Sequence, residues 1–390
     1  MNMPECKRAD IAIVVVAYNR PRSLSRILNS LSAANYPDAE IPLIISIDRG
    51  DNEEVLDIAK AYQWEYGEKT VLYQEENLGL RAHVLKCGNL TEQYENIIML
   101  EDDLYVSPAF FLYSAEALAF TKDQKNIAGI SLYKHMLNVN VREPFEPLQD
   151  GYDNWYMQMA SSWGQAWTRK QWKDFYTWYE KNKDQPLEAD TMPTFISSWP
   201  DRSWLKYFNK YIVETNQYFF YPQQSLTTNF ADEGANMTEC VNDYQVPLLM
   251  ALDKIYYFSD MEQSLAVYDI FYENQKLLTV LQEFCSGIEK DTLTIDLYGG
   301  KPCHTRYLLT SLSLPHRVIA SCGRRLRPID ANIIKKVIGN DFFLYDMEKA
   351  VKAPQIDPAE KYLYNYKAFR AKYGFSVLWY RIKEKITRRH

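Results

Sequence analysis

Residues 11–17, Ile-Ala-Ile-Val-Val-Val-Ala, contain no polar side chain and three consecutive valines. A continuous β-branched run of this length predicts a strand buried on both faces, as in a parallel sheet covered by helices on each side. The apolar stretch ends at Tyr18, far short of the roughly 18 residues needed to cross a bilayer. A polar turn, Tyr18-Asn19-Arg20-Pro21, follows. Leu24, Ile27, Leu28 and Leu31 then recur at helical spacing, and Pro21 suits the first turn of that helix.

The same alternation continues along the chain. Residues 43–47 predict a second buried strand, ending at Asp48-Arg49-Gly50, and Val55, Ile58, Ala59 and Tyr62 stripe a second helix. Residues 70–73 and 80–90 predict a third strand and helix. Residues 97–100 predict a fourth strand that runs into Glu101-Asp102-Asp103. Strands alternating with helices imply right-handed βαβ units and a mostly parallel sheet, whose ligand lies beyond the carboxyl ends of the strands. That rule draws three polar clusters to one rim: Tyr18-Asn19-Arg20, Asp48-Arg49 and Glu101-Asp102-Asp103.

Other features narrow the chemistry. No glycine-rich dinucleotide or phosphate-loop signature is present. The net charge of −7 argues against a general nucleic-acid binder. Yet residues 316–390 carry 17 Lys and Arg against 7 Asp and Glu, a basic tail set apart from an acidic body. The six cysteines have no paired C-x-x-C spacing, so zinc is not indicated; scattered thiols without a signal peptide fit a reducing, cytoplasmic setting. Three adjacent carboxylates at a strand tip repel one another unless a cation compensates. They suit a hard divalent ion, Mn²⁺ or Mg²⁺, which takes one or two carboxylates plus substrate phosphates. A solvated, helix-capping loop is the alternative for this tripeptide.

The segment 97–113, I-I-M-L-E-D-D-L-Y-V-S-P-A-F-F-L-Y, resembles the metal-binding segment of GT-A nucleotide-sugar glycosyltransferases, particularly the N-acetylglucosaminyltransferase I family. V-A-Y-N-R-P at 16–21 resembles the first strand and loop of that fold and of bacterial family 2 transferases. I-S-I-D-R-G at 45–50 resembles its second-strand signature, and N-L-G at 77–79 with Arg81 and His83 its donor-side helix. W-G-Q-A-W-T-R-K-Q-W at 163–172 and W-P-D-R-S-W at 199–204 resemble, more weakly, the acceptor half. The resemblance covers about residues 10–235.

What the resemblance implies is a GT-A domain over 8–240, with a mostly parallel central sheet; residues 241–390, which it leaves uncovered after about 235, read as a mixed, mostly helical C-terminal region with a basic amphipathic tail. The resemblance also implies a metal-dependent, inverting enzyme that moves a sugar from a UDP-sugar to a saccharide or lipid-linked saccharide in surface polysaccharide or lipopolysaccharide synthesis. Asp103 is then the metal ligand, and Glu101 and Asp102 hold sugar or ribose hydroxyls. Asp48 accepts from the uracil ring, unless it caps the next helix. Arg20 faces the diphosphate, unless it is a surface cation. Ala17, Tyr18, Asn19, Asn77, Gly79, Arg81, Trp163 and Gly164 complete the substrate site; His83 reads better as a helix-face residue. Asp201 is the general base, with an N-cap role as its alternative and Asp190, Asp232 and Glu233 as rivals. Residues 225–234 resemble the segment closing the catalytic domain, with Ala231 in a small-residue place. A nucleotidyltransferase or a non-catalytic carbohydrate-binding protein are the other functions considered.

In the tail, Phe375, Leu378, Trp379, Ile382 and Ile386 share a helical face flanked by Arg381, Lys383, Lys385, Arg388 and Arg389. Such a helix suits the surface of an anionic membrane, here its inner face, or docking onto the protein itself.

Overall fold

The computed structural model describes residues 11–36, 40–185, 192–232, 243–355, 363–365 and 371–387. Contacts divide the chain into two compact units, Met1–Thr279 with Gly300–Pro302, and Val280–Gly299 with Cys303–His390.

The first unit begins with the expected βα alternation: β1 (Ile11–Ala17), α1 (Pro21–Ser32), β2 (Leu43–Ile47), α2 (Glu54–Ala61), β3 (Lys69–Tyr73), α3 (Gly79–Gly88) and β4 (Asn96–Glu101). It continues through β5 (Leu104–Val106), α4 (Phe110–Thr121), β6 (Ile127–Ser131), the short pair β7 (Leu137–Asn138) and β8 (Glu143–Pro144), and β9 (Asn154–Met157). Then follow β10 (Gln165–Thr168), α5 (Arg169–Asn182), α6 (Thr194–Ser197), α7 (Trp204–Glu214), β11 (Tyr218–Pro222), β12 (Thr227–Asn229) and β13 (Val267–Tyr268).

Nine described strands form one sheet in the order β13-β9-β11-β6-β10-β4-β1-β2-β3. β1 lies parallel between β2 and β4, with Ala17 opposite Ile47 and Val16 opposite Glu101. All of β1 and β2 is buried, as their uninterrupted apolar character requires. β3 closes that edge and is only half-buried. β10 enters antiparallel between β4 and β6, so the sheet is mixed, with parallel pairs in the majority. On α1 the predicted stripe Leu24, Ile27, Leu28 and Leu31 is buried against this sheet's core.

Residues 243–279 belong to the first unit, so the boundary expected at 240 lies at 279. The reason is packing: β13 adds to the sheet beside β9, and Tyr256 and Phe258 pack on Tyr113. No regular periodicity announces these loops in sequence.

The second unit departs from the mainly helical region expected. It holds β14 (Leu293–Asp296), β15 (Tyr307–Thr310), β16 (His316–Cys322) and β17 (Phe342–Ala350), a four-stranded sheet in the order β14-β15-β17-β16, together with the short helix Asp330–Ile334. Its strands are short and mix polar with apolar residues, which weakens their period-2 signal. The tail does form the predicted helix, Ala371–Thr387, and its Phe375, Leu378, Trp379, Ile382 and Ile386 are exposed. Arg388 and Arg389 lie outside the described residues. Among the described residues no helix is long and apolar enough to cross a membrane.

Candidate active site

The register of β1, β2 and β4 brings the three polar clusters to one rim. Because Val16 stands opposite Glu101 and Ala17 opposite Ile47, the residues that follow each strand emerge side by side. Ala17 is buried at the strand end and Tyr18 stands out into solvent. The Asp102 backbone N–H reaches back to the Val16 carbonyl at 3.1 Å, which turns the acidic tripeptide across the tip of β1.

Arg20 lies against that tripeptide. Its Nη2 donates to Asp102 Oδ1 and its Nη1 to Asp103 Oδ2, the latter at 3.1 Å. Burial disfavours the guanidinium charge, but the two carboxylates outweigh it and push the Arg20 pKa further up. Thus Arg20 is neither a surface cation nor a free diphosphate ligand in this state; it is the counter-ion of the acids. One cation does not neutralise three carboxylates. Burial, with help from Asp103, pushes Glu101 up to about 8 against the opposing pull of Arg20. Burial likewise pushes Asp102 up to about 6 despite Arg20. Asp102 Oδ2 and Asp103 Oδ1 are buried without a hydrogen-bond partner among the described residues. Hard carboxylate oxygens left unpaired beside excess negative charge fit a divalent cation such as Mn²⁺ or Mg²⁺. Among the described residues no group of three or more His, Cys, Asp or Glu side chains is arranged to hold a metal ion.

The donor-side residues expected from sequence assemble as a backbone scaffold. Asp48 is buried; its Oδ1 accepts the N–H groups of Arg49 and Leu78, and its Oδ2 that of Gly79 at 3.0 Å. It therefore caps a helix, but α3 rather than the next one in sequence. Gly79 makes this possible, since its φ of +74° lies in the left-handed region that side-chain-bearing residues avoid. Asn77 donates to Tyr18 Oη and to the Arg49 carbonyl, tying the loops that follow β1, β2 and β3 together. Asn19 lies in the same turn as Tyr18, its Oδ1 buried without a hydrogen-bond partner among the described residues. Arg81 instead turns from the rim to the hydroxyl and ring face of Tyr207 on α7. His83 is a core residue, hydrogen-bonded to Ser46 Oγ at 2.8 Å, as its helix-face reading requires.

A cleft of about 440 Å³ opens beside the acids. Glu101 and Asp103 line one part, Trp163 and Tyr244 another, and Trp199 and Arg202 a third. The weak acceptor-half motifs at 163 and 199–204 thus do meet the carboxylates. Gly164 has a φ of +91°, and a Cβ there would sit 2.7 Å from Thr227, so the turn after Trp163 depends on glycine. Asp201, however, does not line the cleft. Its side chain is 84% exposed beside Lys206, while its neighbours Pro200, Arg202 and Ser203 face inward. Nor does it cap α7: Ser203 does, accepting from the Lys206 N–H. Of the rival bases, Asp232 is tied to Ser23 and Arg26, and Asp190 and Glu233 lie outside the described residues.

Two features escaped the sequence reading. Residues 227–229 form β12 antiparallel to β5, Asn229 reaches the cleft, and Phe230 N–H donates to the Asp103 carbonyl. Residues 227–232, within the 225–234 segment, therefore brace the acidic loop, with Ala231 in a left-handed conformation (φ +62°). His135 also lines the cleft; in sequence it is one isolated histidine, with no motif around it.

Comparison with known proteins adds the following. Residues 12–176 match the family described as Glycosyl transferase family 2. No curated protein matches the chain in sequence. Among solved structures, Staphylococcus aureus TarS residues 1–349 in complex with UDP-GlcNAc is 14% identical, with 58% of this chain and 60% of that one covered and a TM-score of 0.38. The mannosyltransferase PcManGT from Pyrobaculum calidifontis, in complex with GDP-Man and Mn²⁺, is 12% identical over 48% of this chain and 50% of that one, with a TM-score of 0.30. The chain spans 59% of the length of the TarS 1–349 structure without ligand.

Proposed function

We propose that this protein, a glycosyltransferase of the GT-A, family 2-like type, transfers a sugar from a UDP-sugar to a saccharide acceptor with inversion, using Mn²⁺ or Mg²⁺. The observation that carries the reading is the acidic tripeptide at the carboxyl rim of β1 and β4, with two unpaired buried oxygens, opening onto an aromatic-lined cleft. The uridine preference rests on the likeness of residues 45–50 to the second-strand signature.

Asp103 is assigned to hold the cation, with Asp102 beside it. When bound, that ion neutralises the charge that develops on the departing diphosphate. Arg20, if freed from its two carboxylates, is suited to bidentate contact with the diphosphate. Trp163 and Tyr244 offer ring faces for a sugar. The attacking hydroxyl needs a carboxylate to take its proton. Glu101 takes this role in place of Asp201, because it lines the cleft and Asp201 faces solvent. One displacement of this kind inverts the anomeric centre.

An acceptor carried on a lipid gives the tail helix its use: its exposed aromatic and aliphatic face would hold the enzyme at a membrane surface. On this reading the reaction belongs to surface polysaccharide or lipopolysaccharide synthesis.

Calorimetry with UDP tests the donor and metal assignments together. UDP should bind more tightly with Mn²⁺ than in chelator, GDP should bind more weakly, and Asp103→Ala should erase the Mn²⁺ effect without unfolding the protein. Equal UDP affinity with and without Mn²⁺ would remove metal dependence from the reading. A screen of UDP-sugars for hydrolysis then identifies the donor.

A further inference from the structure

We propose that His135 is a sugar-recognising residue of the cleft, its Nε2 bonding to a hydroxyl of the hexose ring held there. The inference rests on the cleft being the site of transfer.

His135 follows β6 and lines the cleft, with only 2% of its surface exposed. Its ring lies edge-on to Tyr133 at 5.1 Å and packs against Trp163, Tyr221 and Tyr272. On one side, Nδ1 meets the Tyr272 hydroxyl at 3.4 Å. On the other, Nε2 is buried and has no hydrogen-bond partner among the described residues. A buried ring nitrogen without a partner is uncommon in native proteins and calls for an explanation. Here a ligand in the cleft is the ready one.

The surroundings define that ligand. All four aromatic neighbours of the imidazole are uncharged, and burial alone pulls its pKa down to about 3. His135 is thus neutral at physiological pH and is neither an anion hook nor a base. It is a neutral hydrogen-bonding group in an aromatic wall, the combination that reads a sugar: ring faces for the C–H surface and a fixed polar atom for one hydroxyl. A hydroxyl both donates and accepts, so it satisfies Nε2 in either tautomer. Trp163, which packs on His135, lies tilted against Tyr244 at 4.6 Å between ring centroids and supplies the neighbouring ring face.

The hexose could be that of the donor or of the acceptor, and two arms of one experiment separate them. In the first, calorimetry with Mn²⁺ compares UDP with UDP-glucose, UDP-galactose and their N-acetylamino forms. In the second, methyl hexosides are titrated into the UDP-saturated protein and followed by tryptophan fluorescence. His135→Phe keeps the ring and removes the polar atom; His135→Gln restores a hydrogen-bonding group. We expect His135→Phe to lose roughly 10- to 100-fold in sugar affinity in one arm. UDP affinity should stay unchanged, and His135→Gln should recover part of the loss. Loss in the first arm assigns His135 to the donor sugar, and in the second to the acceptor. A monodeoxy sugar lacking the recognised hydroxyl should show the same loss on wild-type protein, a readout that needs no variant. Unchanged sugar binding in both arms overturns the proposal, as does a wild type that binds UDP but no sugar in either arm. Failure of UDP itself to bind would sink the donor reading, while methyl hexosides titrated into the protein without UDP still report on His135.

Discussion

Arg20 and Asp103 are 83 residues apart in sequence, yet Nη1 of the first donates to Oδ2 of the second at 3.1 Å. Parallel strands β1 and β4 make the contact, since each ends at the same rim and releases its loop toward the other. The guanidinium thus supplies the counter-charge of the acidic loop. Arg20→Ala should leave Glu101, Asp102 and Asp103 uncompensated. Because the Arg20 side chain is 29% exposed, the cost should be about 1–3 kcal/mol, below that of a fully buried pair. Thermal melts in chelator should show the loss, and Mn²⁺ should recover much of it. A variant as stable as wild type in chelator would show that the pair holds nothing together.

The base assignment separates two carboxylates. Glu101→Gln should keep donor binding and lose turnover by roughly 10²–10⁴-fold. Asp201→Asn should turn over within a few-fold of wild type. Rates of UDP-sugar hydrolysis and transfer decide it, and the reverse pattern would return the role to Asp201.

Burial of His135 has a consequence for acid stability. Its folded pKa, about 3, lies below the usual histidine value of about 6.5. Between those values the unfolded chain binds a proton that the native protein does not, so native stability falls as pH drops through this range. The contribution is at most about 1.4 kcal/mol per pH unit. Denaturant midpoints from pH 6.5 to 4 should fall less steeply in His135→Phe than in wild type. Identical slopes would mean that the imidazole is protonated in the native state.

The tail helix presents Phe375, Leu378, Trp379, Ile382 and Ile386 to solvent. Each basic residue near an anionic surface adds on the order of 1 kcal/mol of attraction, within a screening length of about 8 Å at physiological salt. Deleting residues 375–390 should therefore release the protein from anionic liposomes, and high salt should weaken attachment of the intact chain. UDP affinity should not change. Liposomes ignored by the full-length protein at low salt would leave the helix without this role.

Much of the first half was legible because its signals are local. The runs at 11–17 and 43–47, the stripe on α1 and the acids closing β4 are set by periodicity and by where apolar character stops. From these alone follow a parallel sheet, its rim and the clustering of Arg20, Asp48 and Asp103. Tertiary structure decided what each side chain does there. Whether Asp48 meets a ligand or caps α3 depends on Leu78 and Gly79 being folded onto it, thirty residues downstream. Whether Asp201 or Arg202 faces the cleft depends on the backbone turn that leads into α7, which composition does not encode. The use of residues 227–232 was hidden because β12 is three residues long and acquires meaning only by pairing with β5. His135 was hidden for a related reason: one histidine carries no periodicity, and its unpaired nitrogen exists only once Tyr133, Trp163, Tyr221 and Tyr272 have closed around it.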